Sequence, residues 1–228
     1  MEIIKLDKVY KTYIVSKKLQ VEALKGVTLS IEEGSIVTIY GVSGSGKSTL
    51  LNLIGCLDKP SSGTIIINGN DIAPMKDKEQ SSFRNTNIGF VFQEFNLIPH
   101  RTAYENCMVP IYFTKKRIKE KAKKIDSVLE SLGIGDLRNR KVSDMSGGQK
   151  QRVAIARAII NENPIILADE PTGQLDTHQR EEIAKIFIKL KETGKTIVIA
   201  THDDKLADIS DQVVNIVDGK IEMNLSKN

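Results

Sequence analysis

An α/β fold is what this sequence predicts: a mixed sheet flanked by helices, with an antiparallel β subdomain near its start and an inserted α-helical lobe. Three observations carry that prediction. Short apolar segments punctuated by turn residues recur toward both ends of the chain, among them EIIKLDKV, VEALKGVTLSI, PIILADE and KTIVIATHD. Another, SIVTIYG, runs straight into a glycine-rich loop and from there into KSTLLNLIGCL, whose apolar residues return at helical spacing. From Asn96 to about Ile160, strand character gives way to helical spacing. A chain of 228 residues can bury one substantial core with an embedded lobe. The expected division of this single domain, 1–228, is a core of residues 1–92 and 162–228 and a helical lobe of residues 93–161.

The elements follow in order. Two strands open the β subdomain, and TIIING returns to it after a PSSG turn. IGFVFQ is a further apolar strand. In the lobe, Ile118, Ala122, Ile125, Val128, Leu129 and Leu132 recur at steps of three and four, one buried stripe on a helix. The sheet pattern resumes with PIILADE, a helix from about His178 to Lys191, KTIVIATHD and a terminal stretch QVVNIVDGKIEM, while LSKN reads as a frayed tail.

Composition narrows the function classes. Hydrophobic residues are 40% and charged residues 27%, ordinary for a globular protein. Thirty-three basic against 29 acidic residues leave a net charge of +4, too small to argue for nucleic acid and compatible with an anionic membrane surface nearby. The two cysteines, Cys56 and Cys107, sit in no CxxC or Cys/His cluster, which points to buried thiols in a reducing compartment. Uninterrupted apolar runs stay far below the ~20 residues that span a bilayer, so a cytoplasmic protein is expected, touching a membrane only through a partner. The run from Lys115 to Lys124, seven basic residues and one acidic, reads as a solvated helix face.

The chemistry concentrates in two segments. GVSGSGKST fits G-x-x-x-x-G-K-[ST] through Gly41, Gly46, Lys47 and Ser48, with Val42, Ser43, Gly44, Ser45 and Thr49 completing the loop. Glycines let the backbone wrap an anion so that successive N–H groups and the next helix N-terminus face phosphates. Lys47 is placed to neutralise the β- and γ-phosphates of a nucleotide and the Ser48 hydroxyl to ligate Mg²⁺. Such a string arises by chance in roughly one chain per hundred of this length, and its strand-to-helix setting makes chance rarer. ENPIILADEPTGQLD supplies the other half: a buried strand delivering Asp169 and Glu170 at its carboxyl end, where open α/β sheets place ligands. Asp169 suits Mg²⁺ through water, and Glu170 suits acceptance of a proton from an attacking water. A second glycine-bearing helix start, SGGQKQR, raises a question that the residues alone leave open. Ser146 and Gln149 form a capping-box pattern, yet Ser146, Gly147 and Gly148 would equally cradle an anion.

Six motifs, GVSGSGKST, the glutamine of VFQEFNL, SGGQKQR, ILADEPT, GQLD and the histidine of IATHD, stand in the order and spacing of the ATP-binding cassette (ABC) ATPases, which this chain resembles over nearly its whole length. IGCLDKPSSG and IGFVFQEFNLIPHRTAYEN are most similar to the macrolide-export and lipoprotein-release subgroup. The resemblance implies a P-loop NTPase core binding ATP with Mg²⁺. It implies adenine stacking by Tyr13, and a metal and water contact from Gln93 that reports nucleotide state to the helical lobe. His202 would contact the γ-phosphate and help position water and Glu170, and Asp176 would sit between two copies of the chain. Ser146, Gly147, Gly148 and Gln149 would then close over the γ-phosphate held by the other subunit, so that two copies sandwich two ATP. The implied partners are that second copy, a separate integral membrane permease gripped near residues 93–105, and a periplasmic or extracellular adaptor.

Three positions depart from the commonest family pattern: Val42 where proline is frequent, Met145 for leucine, and Gln174 where alanine or asparagine is usual. Two other uses of such an ATPase compete with transport. Relatives acting in DNA repair or translation carry a long coiled-coil insertion or tandem cassettes, and this chain has neither. A mechanical regulator, signalling to cell-wall enzymes or conferring peptide-antibiotic resistance without moving cargo, is the alternative that the subgroup resemblance keeps open.

Overall fold

A computed structural model of the chain describes residues 1–16, 19–114 and 120–226. Two long antiparallel strands, β1 (Glu2–Ser16) and β2 (Leu19–Glu32), open the chain and outrun the apolar segments that mark them in sequence. Ile14, Val15 and Leu19 in the extra length are exposed, so backbone pairing rather than burial carries the strands that far. β3 (Ile36–Tyr40) enters the glycine loop and α1 (Lys47–Ile54) leaves it. β4 (Ser62–Ile67), β5 (Asn70–Asp71), α2 (Asp77–Asn87) and β6 (Ile88–Val91) follow. The helical interval holds α3 (Ala103–Phe113), α4 (Lys121–Ser131) and α5 (Gly147–Ile159). The chain then returns through β7 (Ile165–Asp169), α6 (Thr177–Glu192), β8 (Thr196–Thr201), α7 (Asp204–Asp208), β9 (Gln212–Val217) and β10 (Lys220–Ser226).

Among the described residues these strands form two sheets. An antiparallel sheet has the order β2-β1-β4-β5, and a mixed sheet the order β10-β9-β3-β8-β7-β6, parallel except for the β9–β10 hairpin. β3, β7 and β8 are apolar almost throughout, as strands covered on both faces must be. One face of the mixed sheet, through Val37, Ile39, Leu167 and Val198, packs on α1 and the antiparallel sheet. The other, through Ile36, Ile166, Ile197 and Ile199, packs on α6 and the helical interval. Leu50, Leu51, Leu53 and Ile54 of α1 are fully buried, and truncating one such leucine to alanine costs about 2–5 kcal/mol. β8 lies between β3 and β7 in the sheet, so the carboxyl ends of three adjacent parallel strands open on one edge.

Several sequence expectations need correction. α2 carries no periodic signal in the sequence because it is polar nearly all round and buries only Gln80, whose amide donates to the Ile72 carbonyl at 3.0 Å. The apolar stripe of α4 reduces to Ile125 and Leu129, with Leu132 buried beyond its end and Val128 half-buried; Ala122, in the first turn, is exposed. Ile118 and residues 115–119 of the basic run lie outside the described residues. In the remainder of that run Lys121 and Lys123 are exposed, Lys123 pairs with Glu120 and Lys124 with Glu162. The terminal stretch QVVNIVDGKIEM forms a hairpin turning at Asp218–Gly219, both at positive φ as in a type I′ turn. Leu225 and Ser226 pair in β10 rather than fraying, and residues 227–228 lie outside the described residues.

Candidate functional site

The loop from Gly41 to Gly46 is built to approach other backbone closely. A side chain at Gly41 would begin 2.4 Å from the Ile216 carbonyl oxygen, and one at Gly46, whose φ is 110°, would begin 2.8 Å from that of Ala23. Gly46 also caps α1 without any side-chain bond, which leaves the first N–H groups of the helix turned toward the loop. The Lys47 ammonium is buried and donates to the carbonyls of Gly41 at 2.7 Å and Val42 at 3.0 Å, so the loop curls around its own cation. Val42 itself is exposed, which fits a position that contributes backbone only.

The carboxylates come from the neighbouring strand ends. Ser48 Oγ donates to Asp169 Oδ1 at 3.0 Å. Burial pushes the Asp169 carboxyl above its usual range, with the Ser48 bond opposing and the Glu170 charge adding to the rise. Glu170 sits at φ 43°, a left-handed turn that aims its side chain back across the sheet edge. One of its oxygens accepts from Thr201 Oγ1 at 2.9 Å, and the other lies 2.9 Å from His202 Nδ1 and 3.7 Å from the Lys47 ammonium. Next to this, Asp203 accepts from Thr172 Oγ1 at 2.9 Å, tying the turn after Glu170 to the residue after His202. Thr201 and Asp203 were not singled out from sequence; a lone polar residue ending the apolar strand TIVIAT was the available signal for Thr201.

A cavity of about 410 Å³ opens between these groups. Ser43, Gly44, Gly46, Lys47, Ser48, Thr49, Gln93, Glu170 and His202 line it, whereas Gly41, Val42 and Asp169 do not. Val21, Glu22, Ala23 and Lys25 of β2, with Asp218 and Gly219 of the β9–β10 turn, complete it from elements that carry no motif. Ser45 lies beneath, buried, its hydroxyl without a hydrogen-bond partner. Gln93 is exposed at the rim on a loop anchored from behind. Arg157 of α5 donates to the carbonyls of Phe95 and Asn96, two consecutive residues at positive φ. Tyr13 does not line the cavity wall but stands close by: its hydroxyl donates to Asp58 at 2.8 Å, and the Thr49 side chain also acts on it.

Ser146, Gly147, Gly148, Gln149 and Asp176 are not brought to this cavity. They sit together elsewhere. Ser146 Oγ accepts from the Gln149 N–H at 3.3 Å and Gln149 Oε1 accepts from the Ser146 N–H at 3.1 Å, so the capping box is formed. Asp176 caps α6, accepting from the Gln179 N–H at 2.8 Å, and a side chain at Gly148 would begin 3.0 Å from Gln179. Ser146 and Asp176 are exposed and Met145 is buried in the core, where a leucine-sized side chain belongs. Gln174 is exposed in the turn before Asp176, and nothing in the structure explains the choice of glutamine there.

The geometry suits magnesium-dependent phosphate chemistry. A hydroxyl and a carboxylate side by side, Ser48 and Asp169, match an ion that takes one or two protein oxygens and leaves the rest of its shell to phosphates and water.

Comparison with known proteins identifies the family. Residues 24–173 match the family model described as ABC transporter. An ABC transporter ATP-binding protein of Thermotoga maritima is 46% identical over 97% of this chain and 94% of its own length. The lipoprotein-releasing system ATP-binding protein LolD of Bacteroides thetaiotaomicron is 47% identical over 96% of this chain and 99% of its own. The dimeric structure of the cassette MJ0796 of Methanocaldococcus jannaschii in a post-hydrolysis state, bound to ADP and Pi, superposes with a TM-score of 0.91 at 43% identity, covering 99% of each chain. With a family match over more than half its length and relatives of this identity and coverage, the chain belongs to the ABC transporter family, among its ATP-binding proteins.

Proposed function

We propose that this chain binds ATP with Mg²⁺ in the 410 Å³ cavity, hydrolyses it, and uses the cycle to open and close a dimer that drives a separate membrane permease of the lipoprotein-release or macrolide-export type. The single observation that carries the proposal is the convergence of Lys47, the Ser48–Asp169 pair and the Glu170–His202 pair at the carboxyl ends of three adjacent parallel strands.

The residue roles follow from that geometry. The Lys47 ammonium exchanges the carbonyls of Gly41 and Val42 for β- and γ-phosphate oxygens, and the α1 N-terminus and loop N–H groups take the remaining charge. Ser48, Asp169 and Gln93 hold the magnesium ion, which supplies charge neutralisation across the phosphates when bound. Glu170 accepts the proton of the water that attacks the γ-phosphorus as the bond to ADP breaks. Thr201 and His202 fix its two oxygens so that the free lone pairs face the cavity. His202, exposed at 69% of its side chain, keeps Nδ1 on Glu170 and offers its other ring nitrogen to the γ-phosphate. Tyr13 stacks on adenine.

Ser146, Gly147, Gly148 and Gln149 close on the γ-phosphate held by a second copy, with Asp176 at the contact between copies. Their distance from this chain's own cavity supports that reading. The dimeric MJ0796 cassette bound to ADP and Pi supports it further. Residues 93–161 form the lobe that turns nucleotide state into motion. Arg157 ties the segment after Gln93 to the helix that Ser146 begins, and both Arg157 and Asn96 line a second cavity of about 730 Å³ with Phe90, Phe92, Val109 and Phe113. An apolar permease segment fits this groove, which would hold the protein peripherally on the inner face of the membrane; an extracytoplasmic adaptor completes such an assembly. No helix among the described residues is long and apolar enough to cross a membrane.

Glu170→Gln tests the proposal. The amide keeps the shape and loses the base, so ATP binding persists, turnover falls by roughly 10²–10⁴, and MgATP traps a dimer on sizing. A variant that stays monomeric with MgATP would remove the sandwich.

A further inference from the structure

Beside the nucleotide cavity, one cluster of side chains ties β1 to the loop that follows α1. Lys11 and Tyr13 are two residues apart on the strand, so the pleat puts both on one face. The Lys11 ammonium donates to Asp58 Oδ1 at 2.6 Å and to the Lys59 carbonyl at 2.8 Å. The Tyr13 hydroxyl donates to the other carboxylate oxygen, Asp58 Oδ2, at 2.8 Å. The same ammonium stands 4.7 Å from the centroid of the Tyr13 ring. A single carboxylate thus grips both the cation beneath the ring and the hydroxyl at its tip.

Each of these contacts has a physical consequence. Lys11 is only 9% exposed, so its charge is spent locally on Asp58 and on the ring face. Burial pushes the Asp58 carboxyl up, but the bonds from Lys11, Tyr13 and the Lys59 N–H outweigh it and hold the group ionised below its usual value. Tyr13 is 37% exposed and has the ammonium over one ring face, which leaves the opposite face as the one a base would take. A free tyrosine on a strand of this exposure would sample several rotamers; this one is fixed before any ligand arrives.

We infer that Asp58 and Lys11 are positioning residues for the adenine base: they hold Tyr13 as a preset stacking platform with one face neutralised by the ammonium and the other open to the base. The inference rests on the reading of Tyr13 as the adenine-stacking residue. Releasing one side chain that is otherwise immobilised before binding weakens affinity roughly two- to tenfold, and the loss falls on the base alone.

Calorimetry on the full chain, with ATP and with inorganic tripolyphosphate as the probe that lacks a base, tests it. Asp58→Asn and Lys11→Met weaken ATP by that factor and leave tripolyphosphate unchanged. Tyr13→Phe, which keeps the ring and drops the bond to Asp58, behaves in the same way. Equal weakening of both probes, or of neither, would overturn the inference. If Asp58→Asn does not fold, Lys11→Met and Tyr13→Phe carry the test, since each removes one arm of the cluster. Tyr13→Ala separates the two levels. A full loss of the preference for ATP with unaffected Asp58 and Lys11 variants sinks only the positioning role, whereas no loss in Tyr13→Ala sinks the stacking reading beneath it.

Discussion

Two helix N-termini in this molecule open with glycine and serine, and they are finished differently. α1 begins at the glycine loop with no side-chain cap, and its cation, hydroxyl and carboxylates are assembled around it within one chain. α5 begins at an exposed Ser146 with a complete capping box, and that N-terminus meets none of those groups. The first helix leaves its donors unpaired because an anion is to satisfy them. The second has one of its donors satisfied by its own serine, so it is stable alone and keeps the N–H groups of Gly147 and Gly148 for a visitor. Under the proposed function, one half of the site is a binding site in a lone chain, and the other would be a surface that acts only on assembly.

The largest expected effect breaks the first half outright. Lys47→Ala removes the charge that neutralises the phosphates, and nucleotide affinity falls at least ~100-fold, since each charge-assisted bond lost is worth about 1.5–3 kcal/mol. Calorimetry on the monomer measures it, and undiminished affinity would dissolve the contrast between the halves. The next effect is confined to the second half. Ser146→Ala and Ser146→Gly leave monomer affinity for ATP intact while lowering turnover on the order of 10²-fold, the usual cost of one donor lost from a transition-state cradle. They differ in stability, because alanine at an N-cap costs about 1 kcal/mol and glycine only a few tenths. If turnover tracks the melting temperature across the two variants, Ser146 is a cap and nothing more.

The same contrast explains what could be read in advance. β3, the glycine loop and α1 are legible because a buried parallel strand is a continuous apolar run and the loop chemistry demands glycine at fixed spacing. PIILADE is legible for the first of these reasons. Thr201, Lys11 and Asp58 are not, since their roles depend on which strand ends and loops become neighbours. β8 falls between β3 and β7, and the loop after α1 folds back on β1, through pairings that no local pattern encodes. α2 escaped because burial of a single glutamine leaves no periodic signal. The capping box at Ser146 was visible in the spacing, but its separation from the cavity is a fact of tertiary structure.

The smallest expected effect concerns what the first half costs its own chain. Asp169 is a carboxylate held in a buried place with its pKa raised, chiefly by desolvation and further by Glu170. A raised carboxyl pKa means the folded state binds the proton more tightly than the unfolded chain does, so this group's contribution to stability declines as pH rises from the unfolded value toward and past the folded one. At neutral pH, without metal or nucleotide, the ionised group is therefore a net burden. Asp169→Asn keeps an acceptor for Ser48 and removes the charge, and it should raise the melting temperature of the ligand-free protein by on the order of 2 °C. The gain should shrink on acidification and vanish below the usual Asp value, where both carboxyls are protonated. Thermal scans from pH 3 to pH 8 on both proteins measure this, and a gain that stays constant across the range would mean the charge of Asp169 is not what the substitution relieves. No such gain is expected from any substitution at Ser146–Gln149, because none of those four residues carries an ionisable side chain.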